Sequence, residues 1–512
     1  MVWPKLRFFD HLLLVLLSFG CLYQIAACLL KINNDPFSAT WSEGSQLYLA
    51  STFFSKSIYG VSIPLPVLNP SYELLMALPF LIHGLPIWVS RLWIDLLWLG
   101  CSLGTGLALV RHFPEQGLLR KALFVGWVFL FLLQIGVYFQ VLLCVILVLG
   151  GFTSKNRWVR LGVVLAASIW AGISRVNWFP MPGFLGAVIY ILETPLDNKG
   201  WRYFVTPAIW IGLGTVTAAL INVLYVDLSG DPAYYFSTIF TSLLLVYRLL
   251  PSATNPLGLL LEIFLFASPV VFLIFYWVFP RSHAWHWSRR LALAVALSVF
   301  FFGGLLVSLK IGGGNNLHDL DGFLILLVVI ASYLFFDKMA QETGKDLARP
   351  RLPGWGVALA ASLPILMVLP FAQVGIPAQP QGTQEALANL QTLVNDITHN
   401  GNGQILFMTE RQLLTLNIIQ GVKLVPDYEK NFLMEMAMAG NQQYFSQYDN
   451  DLRNHRFALI IAEPVTMIYQ TRKSAFGEEN DVYLKWVTVP LLQYYKPVWQ
   501  LREFGLEAFA PK

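Results

Sequence analysis

The sequence predicts a polytopic α-helical membrane protein of about 11 transmembrane helices, with a small C-terminal α/β domain on the exterior side. Three observations support this fold class. Hydrophobic residues make up 56% of the 512 residues and charged residues only 12%, whereas a soluble domain has about 25% charged residues. Apolar runs of bilayer length recur as far as Val374. Residues 376–512 hold 25 of the 64 charged side chains. This composition excludes an ordinary soluble enzyme and a disordered chain.

Eleven apolar segments are expected to cross the bilayer, because a spanning helix needs about 20 predominantly apolar residues. They are residues 10–30, 89–110, 122–136, 138–151, 161–175, 177–192, 203–224, 257–279, 291–309, 322–336 and 354–373. The pairs within 122–151 and 161–192 are interpreted as tight hairpins of two short spans. The first segment is too long for a cleaved signal and no small-residue cleavage site follows it.

The distribution of Lys and Arg predicts the orientation. With the N-terminus in the cytoplasm, the cytoplasmic segments hold 17 Lys and Arg residues. The exterior positions hold six, which are Lys31, Lys56, Arg91, Arg175, Arg248 and Lys310. An odd number of spans then places the C-terminal domain outside. The net charge of +4 gives no argument for a nucleic-acid partner.

The first exterior loop, residues 31–88, contains two amphipathic stretches at 41–50 and 69–78. Pro70 suits the first turn of a helix. Both stretches fit helices that lie in the membrane interface, and they fit equally well two helices that cap the bundle.

The order of motifs in this loop resembles the GT-C membrane glycosyltransferases. That superfamily includes protein O-mannosyltransferases, the aminoarabinose transferases of lipid A and many uncharacterised prokaryotic relatives. The matching pieces are Glu43-Gly44, Tyr59-Gly60, Asn69-Pro70-Ser71-Tyr72 and the stretch Gly84 to Leu92. The resemblance covers most of residues 1–375, the predicted transmembrane domain, and leaves 376–512 as the exterior domain.

The resemblance implies an inverting transfer of sugar from a polyprenyl-phosphate donor at the exterior face of a prokaryotic plasma membrane. The acceptor would be a saccharide, a lipid or a protein, and membrane lipids would be further partners. Such a reaction needs a carboxylate for the acceptor proton and cations for the departing phosphate. No cofactor is predicted. A divalent metal is compatible but unsupported, because the turn 134–140 lacks the second acid that many relatives carry there.

Glu43 is the predicted catalytic carboxylate, as general base or as the group that orients the acceptor, and Asp35 is the nearest second acid. Many relatives carry an acid pair where this chain has Ser42-Glu43. The alternative role for Glu43 is electrostatic, because an acid in the first turn of a helix is favoured by the helix dipole.

Five residues are predicted to bind the phosphate and lipid of the donor. Arg175 and Asn177 lie in a hairpin turn that resembles the family's Arg-x-Asn turn, and a guanidinium suits phosphate. Arg175 could instead reach the interface merely to solvate its charge. Lys310 follows the predicted span 291–309. Tyr247 and Arg248 lie in an amphipathic stretch of the loop 225–256.

The turn 310–321 is the most polar short stretch of the membrane part. Its three consecutive glycines allow close approach of the backbone to a ligand. Its predicted sugar- or acceptor-binding residues are Asn315, Asn316, His318, Asp319 and Asp321. The alternative is a flexible loop of ordinary turn residues.

The C-terminal region reads as a strand at 404–408, a helix at 428–439 and a strand at 457–462, which suggests parallel strands in a small α/β layer. It contains no catalytic or phosphate-binding motif, so a lid or an acceptor-binding domain is expected. Two other functions remain open, a transporter or flippase of lipid-linked saccharides and a non-catalytic scaffold. The enzyme hypothesis requires that Glu43, Arg175 and the turn 310–321 converge on one exterior cavity.

Overall fold

The computed structural model describes residues 8–197, 200–278, 285–310, 317–342, 353–368, 382–400, 403–470 and 472–512. The chain forms a helical bundle followed by a smaller domain that contains a β-sheet. We call the smaller part the exterior domain, after the side on which the sequence predicts it. The predicted boundary at 375/376 falls in residues 369–381, outside the described part, so it stays a prediction.

Each of the eleven predicted spans coincides with one helix of the bundle. These are α1 (Phe8–Leu29), α5 (Ile87–Val110), α6 (Leu118–Ile135), α7 (Phe139–Phe152), α8 (Arg157–Gly172), α9 (Met181–Glu193), α10 (Val205–Ser229), α12 (Leu259–Val278), α13 (Trp287–Ser308), α14 (Asp321–Phe335) and α15 (Gly354–Val368). In the described part of the chain, seven helices are long and apolar enough to cross a membrane. The other four predicted spans correspond to shorter helices, which are α7, α8, α9 and α15. The chain is therefore an integral membrane protein, and the orientation of its ends stays a prediction.

The two predicted hairpins are α6–α7 and α8–α9. Gly136 closes the first in the left-handed region, with φ 69°, which glycine adopts without strain. The second packs closely on α10, because a Cβ at Gly172 would lie 2.5 Å from the carbonyl oxygen of Ala218. This contact fixes the turn that carries Arg175.

The first exterior loop contains α2 (Glu43–Ser51), α3 (Ser55–Tyr59) and α4 (Pro70–Met76). Leu47, Ala50 and Met76 of these helices are at most 1% exposed. A helix lying in the interface would leave one face uncovered. Of the two alternatives, the structure supports packing helices that cap the bundle.

The exterior domain contains four strands and six helices within its described residues. They are α16 (Thr383–Asn400), β1 (Gln404–Phe407), α17 (Gln412–Thr415), α18 (Lys430–Met438), α19 (Gln442–Arg453), β2 (Phe457–Ala462), α20 (Gly477–Tyr483), α21 (Val489–Tyr494), β3 (Tyr495–Leu501) and β4 (Leu506–Pro511). One further short helix, α11 (Thr238–Thr241), belongs to the loop after α10. The strand order is β1-β2-β4-β3. The predicted parallel pairing of β1 with β2 is confirmed, whereas the antiparallel β3–β4 hairpin was not predicted.

The exterior domain sits directly on the first exterior loop. The hydroxyls of Tyr59 and Thr415 are 2.7 Å apart, and the side chain of Gln412 donates to the carbonyl of Pro36 at 3.1 Å. A Cβ at Gly44 would overlap the Gln412 side chain. Glycine at position 44 therefore permits the close contact between loop and domain.

Candidate active site

Glu43 lies in the first turn of α2 and forms a bidentate ion pair with Arg91 of α5. Nε of Arg91 is 2.7 Å from Oε1, and Nη2 is 2.9 Å from Oε2. The backbone N–H of Ala39 donates to Oε2 at 2.6 Å. The two side chains are 12% and 7% exposed. Both oxygens of the predicted catalytic carboxylate are thus engaged within the protein.

The same guanidinium holds the start of the loop. Arg91 also donates to the backbone carbonyls of Asn33 at 3.0 Å, Asp35 at 2.9 Å and Phe37 at 3.1 Å. The carboxylate of Asp35 accepts from the N–H of Phe37 at 3.1 Å, as in an Asx turn. Glu43 and Asp35 therefore stabilise residues 33–39, and this geometry favours a positioning role for both.

Arg175 meets the turn that precedes α14, so the structure brings these two predicted regions together. Its Nη2 is 2.6 Å from Asp319 and its Nη1 is 3.8 Å from Asp321. His318 lies 3.6 Å from Asp319. The ring of Tyr138 packs against both the guanidinium and the imidazole. We call these five residues the Arg175 cluster.

The Arg175 cluster has two carboxylates for one guanidinium. Nε1 of Trp178 donates to Asp321 at 2.7 Å, which holds that carboxylate in place. Nη1 of Arg175 is buried without a hydrogen-bond partner among the described residues, so the guanidinium keeps a donor group that neither carboxylate uses. Asn177 lies half-buried in the same turn.

Two predicted ligands, Asn315 and Asn316, lie outside the described residues. Lys310, at the end of α13, is half-buried and faces Glu435 of the exterior domain. Burial raises the pKa of the Glu435 carboxyl to about 7. In the described ranges no group of three or more His, Cys, Asp or Glu side chains could hold a metal ion, and metal dependence stays untested.

Tyr247 and Arg248 connect the bundle to the exterior domain. Arg248 forms an ion pair with Glu479, and each side chain is only 3% exposed. The hydroxyl of Tyr247 lies 2.9 Å from both oxygens of the same carboxylate. Tyr247 and Arg248, which were predicted to bind the sugar donor, therefore form a contact between the bundle and the exterior domain.

Replacing Arg248 by alanine is expected to loosen this contact, because Glu479 would be left buried without its cation. Deuterium uptake should rise in Val246–Leu249 and α20, where local opening governs exchange. Hydrogen exchange with mass spectrometry measures the effect, and Arg453→Ala, at an exposed pair on α19, is the control. Unchanged uptake in α20 would contradict the contact's importance.

A cavity of about 120 Å³ lies between the first exterior loop, the loop after α10 and the exterior domain. We call it the exterior cavity. Its walls combine carboxylates and tyrosines from these three parts: Tyr48, Asp231, Tyr235, Asp427, Tyr428, Glu429 and Tyr444. Asp231 and Tyr235 belong to the loop 225–256, but no motif in the sequence marks Asp427 or Glu429.

Glu73, in α4, is only 4% exposed. Its Oε2 has no hydrogen-bond partner among the described residues. Burial, together with the charge of Glu429, raises the pKa of Glu73 well above its usual value. Ser71, two residues earlier in α4, contacts Ser174 beside Arg175 at 2.6 Å. Neither Glu43 nor Arg175 nor the described part of the turn 310–321 lines the exterior cavity, so the convergence that the enzyme hypothesis requires of them is not observed at this cavity.

Comparison with known proteins bears on the fold. No family model and no curated protein matches the sequence. A solved structure, ArnT from Cupriavidus metallidurans in the apo state, aligns over 97% of this chain and 97% of its own, with a TM-score of 0.50. ArnT has the GT-C fold. This chain has the same fold. The predicted GT-C resemblance is confirmed for the architecture, and the identity of 14% carries over no residue roles.

Proposed function

We propose that the protein is a membrane glycosyltransferase that moves a sugar from a polyprenyl-phosphate donor to an acceptor at the exterior face, with inversion. The observation that carries this proposal is the exterior cavity, which lies at the predicted exterior end of a bundle with the GT-C fold. Its walls come from both the bundle and the exterior domain. A donor from the membrane and an acceptor from outside could therefore meet there.

The chemistry of the cavity walls suits a saccharide. Carboxylates accept hydrogen bonds from sugar hydroxyls, and tyrosine offers an apolar ring with a polar tip. Asp231, Asp427 and Glu429 supply the acceptors, and Tyr48 and Tyr235 are among the rings. A purely apolar lipid site would not place three carboxylates around so small a volume, because an unpaired buried charge is costly.

A wide groove adjoins the cavity. It has a volume of about 680 Å³ and shares the wall formed by Thr52 and residues 63–65. Its lining includes Lys56 and Leu228. Leu228 continues the exposed apolar face of α10, where Leu220 and Leu224 are also exposed. In the proposal, the polyprenyl chain follows this face and the phosphate lies in the groove near Lys56.

The proposed step balances as a single displacement. An acceptor hydroxyl oxygen forms a bond to the anomeric carbon, and the bond from that carbon to the phosphate oxygen breaks. The electron pair leaves with the polyprenyl phosphate, and the acceptor proton passes to a carboxylate. Glu43 and Asp35 serve this reaction by keeping residues 33–39 in place.

Narrowing the cavity tests the proposal. Gln447 lines the cavity on the exposed side of α19, so Gln447→Trp is expected to lower transfer at least tenfold by excluding the acceptor. The purified protein in proteoliposomes would be given a panel of polyprenyl-phosphate sugars and candidate acceptors, and sugar transfer would be measured by mass spectrometry.

The matched control is Ser446→Trp, an equally exposed neighbour on the same helix that lies outside the cavity lining. It should retain wild-type transfer. Equal loss in both variants would indicate damage to the helix rather than a blocked cavity. Failure of the wild-type protein to transfer sugar from any donor in the panel would contradict the proposed function.

A further inference from the structure

We infer that Asp231 is the catalytic base of the proposed transfer, the group that takes the proton from the acceptor hydroxyl. This inference rests on the proposed function and assigns its proton acceptor. Asp231 lines the exterior cavity directly and is half-buried. A general base must lie within hydrogen-bond reach of the proton that it removes, and a cavity-lining carboxylate meets that requirement.

The other two carboxylates of the cavity already have partners within the protein. Asp427 forms a salt bridge with Arg456 at 2.9 Å. Glu429 caps α18 by accepting from the N–H groups of Asn431 at 3.1 Å and Phe432 at 3.0 Å, and it also accepts from the hydroxyl of Ser45. Among the described residues, the carboxylate of Asp231 accepts no hydrogen bond. It is the carboxylate of this cavity whose oxygens accept no hydrogen bond from the described residues.

The backbone around Asp231 is well fixed, as a catalytic group requires. Gly230 ends α10 with φ 88°, a left-handed conformation that favours glycine. The N–H of Asp231 donates to the hydroxyl of Ser229 at 3.2 Å, and Pro232 restricts the backbone of Asp231, the residue before it. These restraints fix the backbone of Asp231 directly after the end of α10.

The surroundings tune Asp231 for proton transfer near neutral pH. Burial and the charge of Asp427 raise the pKa of the Asp231 carboxyl to about 6. The phenol of Tyr225 on α10 lies within electrostatic range of both Asp231 and Glu73, and Tyr235 follows in the same loop. No guanidinium or ammonium pairs with Asp231 among the described residues. A base with a pKa near the working pH combines ionisation with proton affinity.

The step conserves atoms and charge. As the acceptor oxygen bonds to the anomeric carbon, its proton moves to an Asp231 oxygen, and the departing phosphate carries the electron pair of the broken bond. The proton then leaves to solvent through the open side of the cavity. No oxidant or other reactant is needed.

The test compares three variants in the proteoliposome assay. Asp231→Asn should lower kcat at least 100-fold, the scale of general-base catalysis, with a smaller change in donor KM. Asp227→Asn is the matched control, because Asp227 is exposed on the last turn of α10 and should keep wild-type activity. Asp231→Ala should regain activity when formate is added, since a small carboxylate fits the vacated space. Thermal unfolding in detergent verifies that each variant is folded.

The pH profile gives an independent readout. Wild-type kcat/KM should fall below about pH 6, where Asp231 becomes protonated, and the formate-rescued Asp231→Ala should follow the titration of formate instead. If the wild-type protein transfers sugar and Asp231→Asn has the same kcat, the role of Asp231 as the base is overturned and the proposed function stands. Absence of transfer by the wild-type protein would overturn both.

Discussion

Replacing Arg91 by methionine is expected to destabilise the protein by about 3–5 kcal/mol, the usual consequence of removing one partner of a buried ion pair. The Glu43 carboxylate would remain buried with a single backbone donor, that of Ala39. The carbonyls of Asn33, Asp35 and Phe37 would lose their shared donor. The first exterior loop should then detach from α5.

A double-mutant cycle measures this coupling. Arg91→Met, Glu43→Gln and the double variant would be compared by equilibrium unfolding in detergent, and the double variant should lose less than the sum of the single losses. The control cycle uses Lys338 and Glu115, a 2.5 Å pair whose side chains are 38% and 75% exposed. That pair should show little coupling, because solvent screens exposed charges.

The same variants distinguish the two roles of Glu43. A positioning role predicts that Glu43→Gln loses stability and transfer together, and that conditions restoring the fold also restore transfer. A general-base role predicts loss of transfer at unchanged stability. An unchanged free energy of unfolding in Arg91→Met would contradict the structural role of the ion pair.

The sequence was sufficient for the bundle because long apolar runs are a local signal. Each of the eleven predicted spans became a helix, including the two hairpins that meet at Gly136 and near Arg175. The parallel pairing of β1 and β2 was also predictable, because a helix-containing connection joins two buried strands. The β3–β4 hairpin was missed, since Pro497 and Lys496 weaken its apolar alternation.

The site was less predictable because it depends on partners that are distant in the chain. Glu43 and Arg91 were each noticed in the sequence, but nothing there pairs residues 48 positions apart. Arg175 and Asp319 were placed on one face by the predicted topology, yet the choice between a phosphate ligand and an internal ion pair depends on tertiary distances. The exterior cavity takes Asp231 and Asp427 from two separate parts of the chain.

Glu73→Gln is expected to flatten the pH dependence of stability. Because the pKa of Glu73 is raised in the folded protein, the folded state keeps a proton that the unfolded state releases near pH 4.5. Stability then falls as pH rises from that value toward the folded pKa, by up to about 1.4 kcal/mol per pH unit for one proton. A glutamine at position 73 carries no ionisable proton and removes this contribution.

Comparison of the two proteins isolates Glu73 from its neighbours. Asp231 and Glu435, whose pKa values are raised to about 6 and about 7, destabilise in the same direction in both proteins. The wild-type protein should therefore lose more stability than Glu73→Gln as the pH rises from 5 to 8. Unfolding at four pH values from 5 to 8 measures this, with exposed Glu385→Gln as the control. Parallel curves for wild type and Glu73→Gln would mean that Glu73 is ionised in the folded protein, and the buried Oε2 would then need a cation in its vicinity, because an unpaired buried carboxylate is too costly to persist.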